Sequence, residues 1–250
     1  KLTLAGIIKS TPVKEALLRV DRANYVENPA NAYSDAPQSI GYAQTISAPH
    51  MHSHALEEIL PTLTKFSREF QQSEIMLGES REPASEEEKE LKILDVGCGS
   101  GYLTAALGRL VDRGTQGPIH PLSKGRVFGI DVIPELVTLS RHNIMKADSD
   151  LFTSGTVSVA RGDGWNGLPS EGPFHAIHVG AAAETFPPSL MMQLYPHGGV
   201  MVIPVGANNS IQNLYRVERL RDSDHYNRDD FRIQNLLGVR YVPLVHSKMP

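Results

Sequence analysis

Cysteine is almost missing, with Cys98 the only one in 250 residues. A single thiol excludes an intrachain disulfide framework and a thiolate metal cluster, and it suits a reducing compartment. Basic charge is not in excess either, since 24 Lys and Arg stand against 28 Asp and Glu for a formal net charge of -4. Without a basic footprint, nucleic acid is not an expected partner. No stretch approaches the ~18 consecutive apolar residues of a membrane span. The N-terminal KLTLAGIIKSTPVKEALL is too interrupted by charge for a secretory apolar region. We therefore expect a soluble, cytoplasmic monomer with no membrane partner. Internal repeats and low-complexity tracts are absent as well. What is present, 40% hydrophobic residues, is ample for one buried core.

Thr11-Pro12 ahead of VKEALLRVDR reads as a helix start, with Thr11 as the cap, Pro12 at the first helical position, and Val13, Leu17 and Val20 on one face. Residues 23 to 45 carry prolines, a glycine and no sustained periodicity. They are expected to form a long ordered loop or lid, because Tyr25, Tyr33 and Tyr42 argue against disorder. A helix from about Pro49 to Leu63 should follow, and the acidic stretch 71 to 92 reads as a surface insertion.

From Lys92 onward the pattern alternates. KILDV, RVFGID, TVSVA, FHAIHV and GGVMVIPV read as strands, separated by the helical segments YLTAALGRLV, PELVTLSRHNI and PPSLMMQL. Strands alternating with helices imply right-handed crossovers and an α/β fold with a doubly wound, mostly parallel sheet. NLYRVERL and FRIQNLLGVRYVPLV should add antiparallel strands at one edge. The chain thus divides into an N-terminal helical and loop extension (1–91), a ligand-binding core (92–206) and closing strands (207–250), all in one globular unit.

The loop Asp95-Val96-Gly97-Cys98-Gly99-Ser100-Gly101 leaves the first core strand and opens a helix, which is where such sheets bind ligands. A plain turn would account for one or two glycines, but hardly for three alternating ones behind an aspartate. The spacing GxGxG also departs from the GxGxxG that cradles a dinucleotide pyrophosphate. The loop resembles the glycine-rich motif of class I S-adenosylmethionine methyltransferases, which have a Rossmann-like fold. That resemblance implies a ligand with a sulfonium, an ammonium and a ribose, for which carboxylates suit better than a phosphate cradle. Asp131, followed by Val132, ends the second core strand, where an acid can accept both ribose hydroxyls. Asp163, between Gly162 and Gly164, follows the third, where one can receive the adenine amino group. After the fourth strand stand His178-Val179-Gly180-Ala181-Ala182-Ala183, not the acidic or Asn-Pro-Pro-aromatic tetrapeptide of amine methyltransferases. An amine acceptor is disfavoured, and cytosine C5 chemistry lacks its Pro-Cys loop.

DAPQSIGYAQTISAPHMHSHALE, LDVGCGSGYLTA, ARGDGWNG, FHAIHVGAAAE, PHGGVMVIPVG and GVRYVPL together resemble the protein-L-isoaspartate O-methyltransferase family, in order and over most of the chain. The resemblance implies repair of isoaspartyl-containing proteins and peptides. S-adenosylmethionine would methylate the α-carboxyl of L-isoaspartyl residues, and more weakly D-aspartyl β-carboxyls, leaving S-adenosylhomocysteine. Ser47 stands at the family's active-site serine. Ile40, Gly41, Tyr42, Gln44, Thr45 and His52 fall in or beside the cofactor segment, and Asp131, Gly162 and Asp163 match further cofactor positions. Ala48, His50, His178, Val179 and Gly180 are expected to meet the substrate, with Tyr and Pro residues of the 23–45 loop covering the cofactor and shaping a peptide groove. Two departures stand out: GYAQTIS where animal members often read GFQATIS, and Val245 where the family commonly has a threonine, at a position expected to contact substrate.

An α-carboxyl, with an ordinary pKa near 3.5, is already an anion at neutral pH and needs no general base. Ser47 is then expected to orient the acceptor rather than to attack; by its local residues alone it reads equally as a helix cap ahead of Pro49. His50 and His54 share a helix face at i, i+4, yet no HExxH pattern accompanies them, and no metal is expected. Another carboxylate O-methyltransferase or a silent cofactor-binding adaptor are the alternatives, with an NAD-linked dehydrogenase more distant.

Overall fold

Seven strands form one sheet through the centre of the molecule. The computed structural model describes residues 2–77, 90–112, 124–208 and 210–247, of which 74–77 as backbone only. Helix α1 (Thr11–Arg19) and two short 3-10 turns lead into a hairpin of β1 (Gln38–Gly41) and β2 (Gln44–Ile46), then the long helix α2 (Pro49–Leu77). The core runs β3 (Leu91–Val96), α3 (Tyr102–Val111), β4 (Gly125–Asp131), α4 (Pro134–Ala147), α5 (Ser149–Thr153), β5 (Val157–Arg161), β6 (Ala176–Val179), α6 (Pro188–Met192) and β7 (Val200–Val205). β8 (Gln212–Arg219) and β9 (Phe231–Val239) complete it.

The sheet order is β5-β4-β3-β6-β7-β8-β9. The first five of these pair in parallel, and β8 and β9 are antiparallel. This is the doubly wound sheet with an antiparallel edge that the alternation predicts. β6 and β7 are buried along their whole length, because a sheet covered on both faces leaves no solvent side for polar alternation. Chain order reverses between β3 and β6, so a crevice opens beyond their carboxyl ends, the usual ligand site of such sheets.

Four expectations are corrected. Thr11 is the first helical residue, and Ser10 occupies the cap position without capping, its hydroxyl donating to Glu57 Oε1 at 3.0 Å. The 23–45 segment is ordered but not a featureless loop, since it contains the β1–β2 hairpin. α2 runs past Leu63 to Leu77 despite Pro61. Leu56, Ile59, Leu63 and Phe66 stay buried at i, i+3, i+4 spacing while Pro61 faces solvent, where the unpaired carbonyl one turn back meets water. Residues 71–77 of the acidic stretch are therefore the end of α2, and 78–89 lie outside the described residues. Finally, β9 stops at Val239, and the chain from Arg240 leaves the sheet. Among the described residues no helix is long and apolar enough to cross a membrane.

The N-terminal elements are bolted to the core by polar contacts. The buried Tyr25 hydroxyl donates to Asp148 Oδ2 at 2.5 Å, and Arg109 of α3 binds the same carboxylate at 2.7 Å.

Candidate active site

Three aspartate carboxylates were expected at three strand ends, and each has a different local task. Asp95, buried near the end of β3, accepts from His178 Nδ1 at 2.8 Å with one oxygen and from Thr104 Oγ1 at 2.6 Å with the other. Both oxygens are committed inside the protein, so Asp95 orients His178 and anchors α3. Asp131, ending β4, accepts from Gly99 N and from Ile133 N, both at 3.0 Å. Each of its oxygens keeps lone-pair capacity for a ligand. Burial, with a smaller contribution from the neighbouring Asp95, pushes the Asp131 carboxyl above its ordinary range against the pull of these N–H groups.

The glycine loop makes the crevice possible. Gly97, Gly99 and Gly101 all have left-handed backbones, with φ of 73°, 55° and 88°. Opposite them, a Cβ on Gly180 would lie 2.9 Å from the Gly97 carbonyl oxygen, so the loops after β3 and β6 approach backbone to backbone.

Around that contact three chambers meet. The first, with about 660 Å³ of open space, is bordered by Ile40, Gln44, Gly97, Gly99, Asp131, Val132, Ile133, Gly162, Gly164 and Leu244. The second is a groove of about 1290 Å³ along Pro37, Ala48, His50, Arg240 and Tyr241. The third, about 360 Å³, is lined by His52, Asp95, Ser100, Tyr102 and His178. Thr45 and Gly180 border all three, and Ser47 borders the second and third. Ser100 Oγ is buried with no hydrogen-bond partner among the described residues, in the wall of the third chamber.

Ser47 is held from behind by a residue that the sequence did not single out. Arg22 Nη2 donates to the Ser47 carbonyl at 2.7 Å, its Nε donates to Ala32 O at 2.9 Å, and its Nη1 lies 3.3 Å from His52 Nδ1. Burial, then the charges of Arg22 and His178, hold the His52 imidazole well below its ordinary pKa, so it is neutral at pH 7. From the other side, Tyr241 lines the same groove as Ser47. His50 is fixed by Asp35, whose Oδ1 accepts from its backbone N at 3.0 Å and faces its Nδ1 at 2.8 Å. Among the described residues no group of three or more His, Cys, Asp or Glu is placed to hold a metal.

The family model for protein-L-isoaspartate(D-aspartate) O-methyltransferases matches residues 1–70 and 85–249. The chain belongs to this family. It is 39% identical over 240 residues to protein-L-isoaspartate O-methyltransferase 1 of Arabidopsis thaliana, covering 96% of this chain and 86% of that one. It is 36% identical over 214 residues to the Caenorhabditis elegans protein-L-isoaspartate O-methyltransferase, covering 86% and 79%. A Plasmodium falciparum chain described as a protein-L-isoaspartate O-methyltransferase, solved in complex with S-adenosyl-L-homocysteine, superposes with a TM-score of 0.72 at 26% identity, covering 98% of this chain and 94% of that one.

In this methyltransferase the segment after β9 is a strap across the crevice. Ala182 N donates to Val242 O, and Leu244 N donates back to Ala182 O, both at 2.8 Å. Trp165 Nε1 donates to Leu244 O at 3.0 Å, and the Trp165 ring stacks on His246 at 5.0 Å. Asp163 ties the strap's end, accepting from Ser247 N at 2.9 Å and Ser247 Oγ at 3.1 Å. Burial pushes the Asp163 carboxyl up, but the Ser247 and Trp165 N–H groups and the Ser247 hydroxyl outweigh it and leave it below its ordinary range. Asp163 does not border the first chamber, whereas its neighbours Gly162 and Gly164 do.

Most of the remaining expected residues are gathered here, with exceptions. Gly41 and Tyr42 border a separate cavity with Tyr25 and Leu139. Gly101 heads α3 against Ile144, and Val179 is buried in β6. Val245 borders the first chamber and not the peptide groove. Of the loop residues expected to cover the site, Tyr25 is turned to Asp148 and Tyr33 to Asp21, so Pro37 and Ile40 form the wall instead. Arg22, Tyr241 and the strap were missed because each acts through contacts distant in sequence.

Proposed function

We propose that this chain methylates the α-carboxyl of L-isoaspartyl residues in damaged proteins and peptides, and more weakly D-aspartyl β-carboxyls, using S-adenosylmethionine and releasing S-adenosylhomocysteine. It is an enzyme of protein repair, which we place in the cytoplasm as a monomer. The observation that carries this reading is the junction at Thr45, Gly180 and Ser47. There a chamber bearing the Asp131 carboxylate and an open groove share walls, in a chain of this family.

The residues present fit the cofactor. Asp131 has acceptor capacity for a diol, Val132, Ile133 and Leu244 give apolar surface for a base, and the unpartnered Ser100 hydroxyl and His52 suit a polar amino-acid end. When bound, S-adenosylmethionine supplies an electrophilic methyl group on a sulfonium. The chain's own work is placement. Ser47, backed by Arg22, offers a hydroxyl that donates to the acceptor carboxylate, and the neutral His52 neither competes for the proton nor repels the sulfonium. Because the acceptor arrives as an anion, alignment and exclusion of water are the main catalytic effects, contributing up to ~7–11 kcal/mol for well-aligned reactants.

Methyl transfer from methyl-labelled S-adenosylmethionine to two peptides differing only in an isoaspartyl or normal aspartyl linkage tests the assignment, scored as base-labile methanol. Label on the isoaspartyl peptide alone is expected. Label on neither, with cofactor binding intact by calorimetry, would point to another carboxylate or to a silent adaptor.

A further inference from the structure

Arg22 is a buried cation with no carboxylate in contact among the described residues. It is 3% exposed, and its donors go to two carbonyls and one imidazole nitrogen, with its guanidinium 5.3 Å from the centre of the Tyr102 ring. The acid that acts on it through space, Asp35, is itself engaged by His50. Desolvating a guanidinium without a counter-charge is costly, and the two carbonyls alone could have been satisfied by a neutral donor. What a guanidinium adds is a rigid planar fan of donors. Through it, four segments are set at fixed angles: Arg22's own 3-10 turn, Ala32, the residues before α2, and the start of α3. An arginine can only donate, so His52 Nδ1 accepts and its ring proton sits on Nε2.

We infer that Arg22 is a positioning residue for methyl transfer, fixing the backbone of Ser47 and holding His52 as the Nε2–H tautomer beside it. The inference rests on the function proposed above. Ser47 reaches the junction of groove and chamber only with its carbonyl anchored on the far side, and the same fan sets where the His52 ring lies relative to it. The titratable groups around His52 are Arg22, His178, His50 and Tyr102.

The test compares Arg22→Lys and Arg22→Met with Tyr25→Phe, which loosens the same N-terminal segment by removing its bond to Asp148 without touching Ser47. Both Arg22 variants should lower kcat for the isoaspartyl peptide on the order of a hundredfold, as expected for an ångström-scale misplacement, with S-adenosylhomocysteine affinity within about threefold. Tyr25→Phe should keep kcat even where its thermal midpoint falls as far. In protein with 15N-labelled histidine, His52 should show the single Nε2–H tautomer in the wild type and a mixture in Arg22→Met. Wild-type kcat in Arg22→Met, an unchanged His52 tautomer, or an equal loss in Tyr25→Phe at matched stability would each overturn the inference. An inactive wild type would instead sink the functional reading, and the tautomer measurement, which needs no turnover, would still decide whether Arg22 holds His52.

Discussion

In the proposed reaction the chemistry asks little of Ser47, since the acceptor is already charged and the hydroxyl would have only to aim it. Ser47→Ala should therefore lower turnover while leaving cofactor affinity nearly unchanged, as read by steady-state kinetics beside calorimetry with S-adenosylhomocysteine; a parallel loss of affinity would move Ser47 into the cofactor site. Asp131 should behave in the opposite way. Asp131→Ala removes a charged acceptor and should weaken S-adenosylhomocysteine by roughly 1–3 kcal/mol. Its carboxyl is held above the ordinary range by burial, so the anionic acceptor is lost on acidification sooner than an exposed aspartate would be. Wild-type affinity should fall with decreasing pH from above the usual carboxylate range, and the Asp131→Ala variant should lack that fall.

Between elements, the strap has the clearest consequence. Asp163 lies below its unperturbed value of 3.8, so it stabilises the strap's attachment above that pH. The contribution is lost as pH falls through the lowered value. Asp163→Asn should weaken the attachment at neutral pH. The amides of Leu244 and Ser247 should exchange faster with deuterium, and bound S-adenosylhomocysteine should leave faster; unchanged exchange would show that Ala182 and Trp165 hold the strap without Asp163. This element also marks where sequence reading stops. The alternation from Lys92 predicted the parallel sheet and its antiparallel edge, because crossover helices and strands have distinct periods. The glycine loop, Asp131 and Ser47 were legible because local spacing and resemblance carry them. FRIQNLLGVRYVPLV reads as one strand by composition, yet its last third is pulled off the sheet by partners at Ala182 and Trp165 that no local pattern announces. The end of α2 is missed in the same way, since tertiary burial of Phe66 carries the helix on past Leu63. Arg22 resembles any basic residue after a helix until Ser47 and His52 are brought to it.

For the molecule as a whole, acid stability should depend on histidines buried in neutral form. His175 accepts from Lys92 N at 3.0 Å, packs on Phe66 and Tyr195, and is held by burial at a pKa of about 4. The unfolded chain takes up its proton below 6.5 while the folded one refuses it. Stability is therefore full above that value and declines as pH falls toward 4, by at most about 1.4 kcal/mol per pH unit for this group. His52 adds a contribution of the same sign. His175→Asn, which retains an acceptor for Lys92 N, should flatten the fall of the thermal midpoint across that range; an unaltered slope would assign the fall to other groups. At neutral pH, S-adenosylhomocysteine at a hundred times its Kd should add about 2.7 kcal/mol to stability, or roughly 5–10 °C in midpoint for a chain of this size.

Val242 and Pro243 wall both the first chamber and the groove, whereas Leu244 and Val245, further along the strap, border the chamber and not the groove. On the function proposed above, the two reactants enter by separate doors. A large, irregular protein can present its damaged residue at the open groove and depart esterified, while the spent nucleoside waits behind a latch of Trp165, His246 and Asp163. Rapid mixing should then give a first turnover faster than those that follow, with the enzyme idling on its own used cofactor.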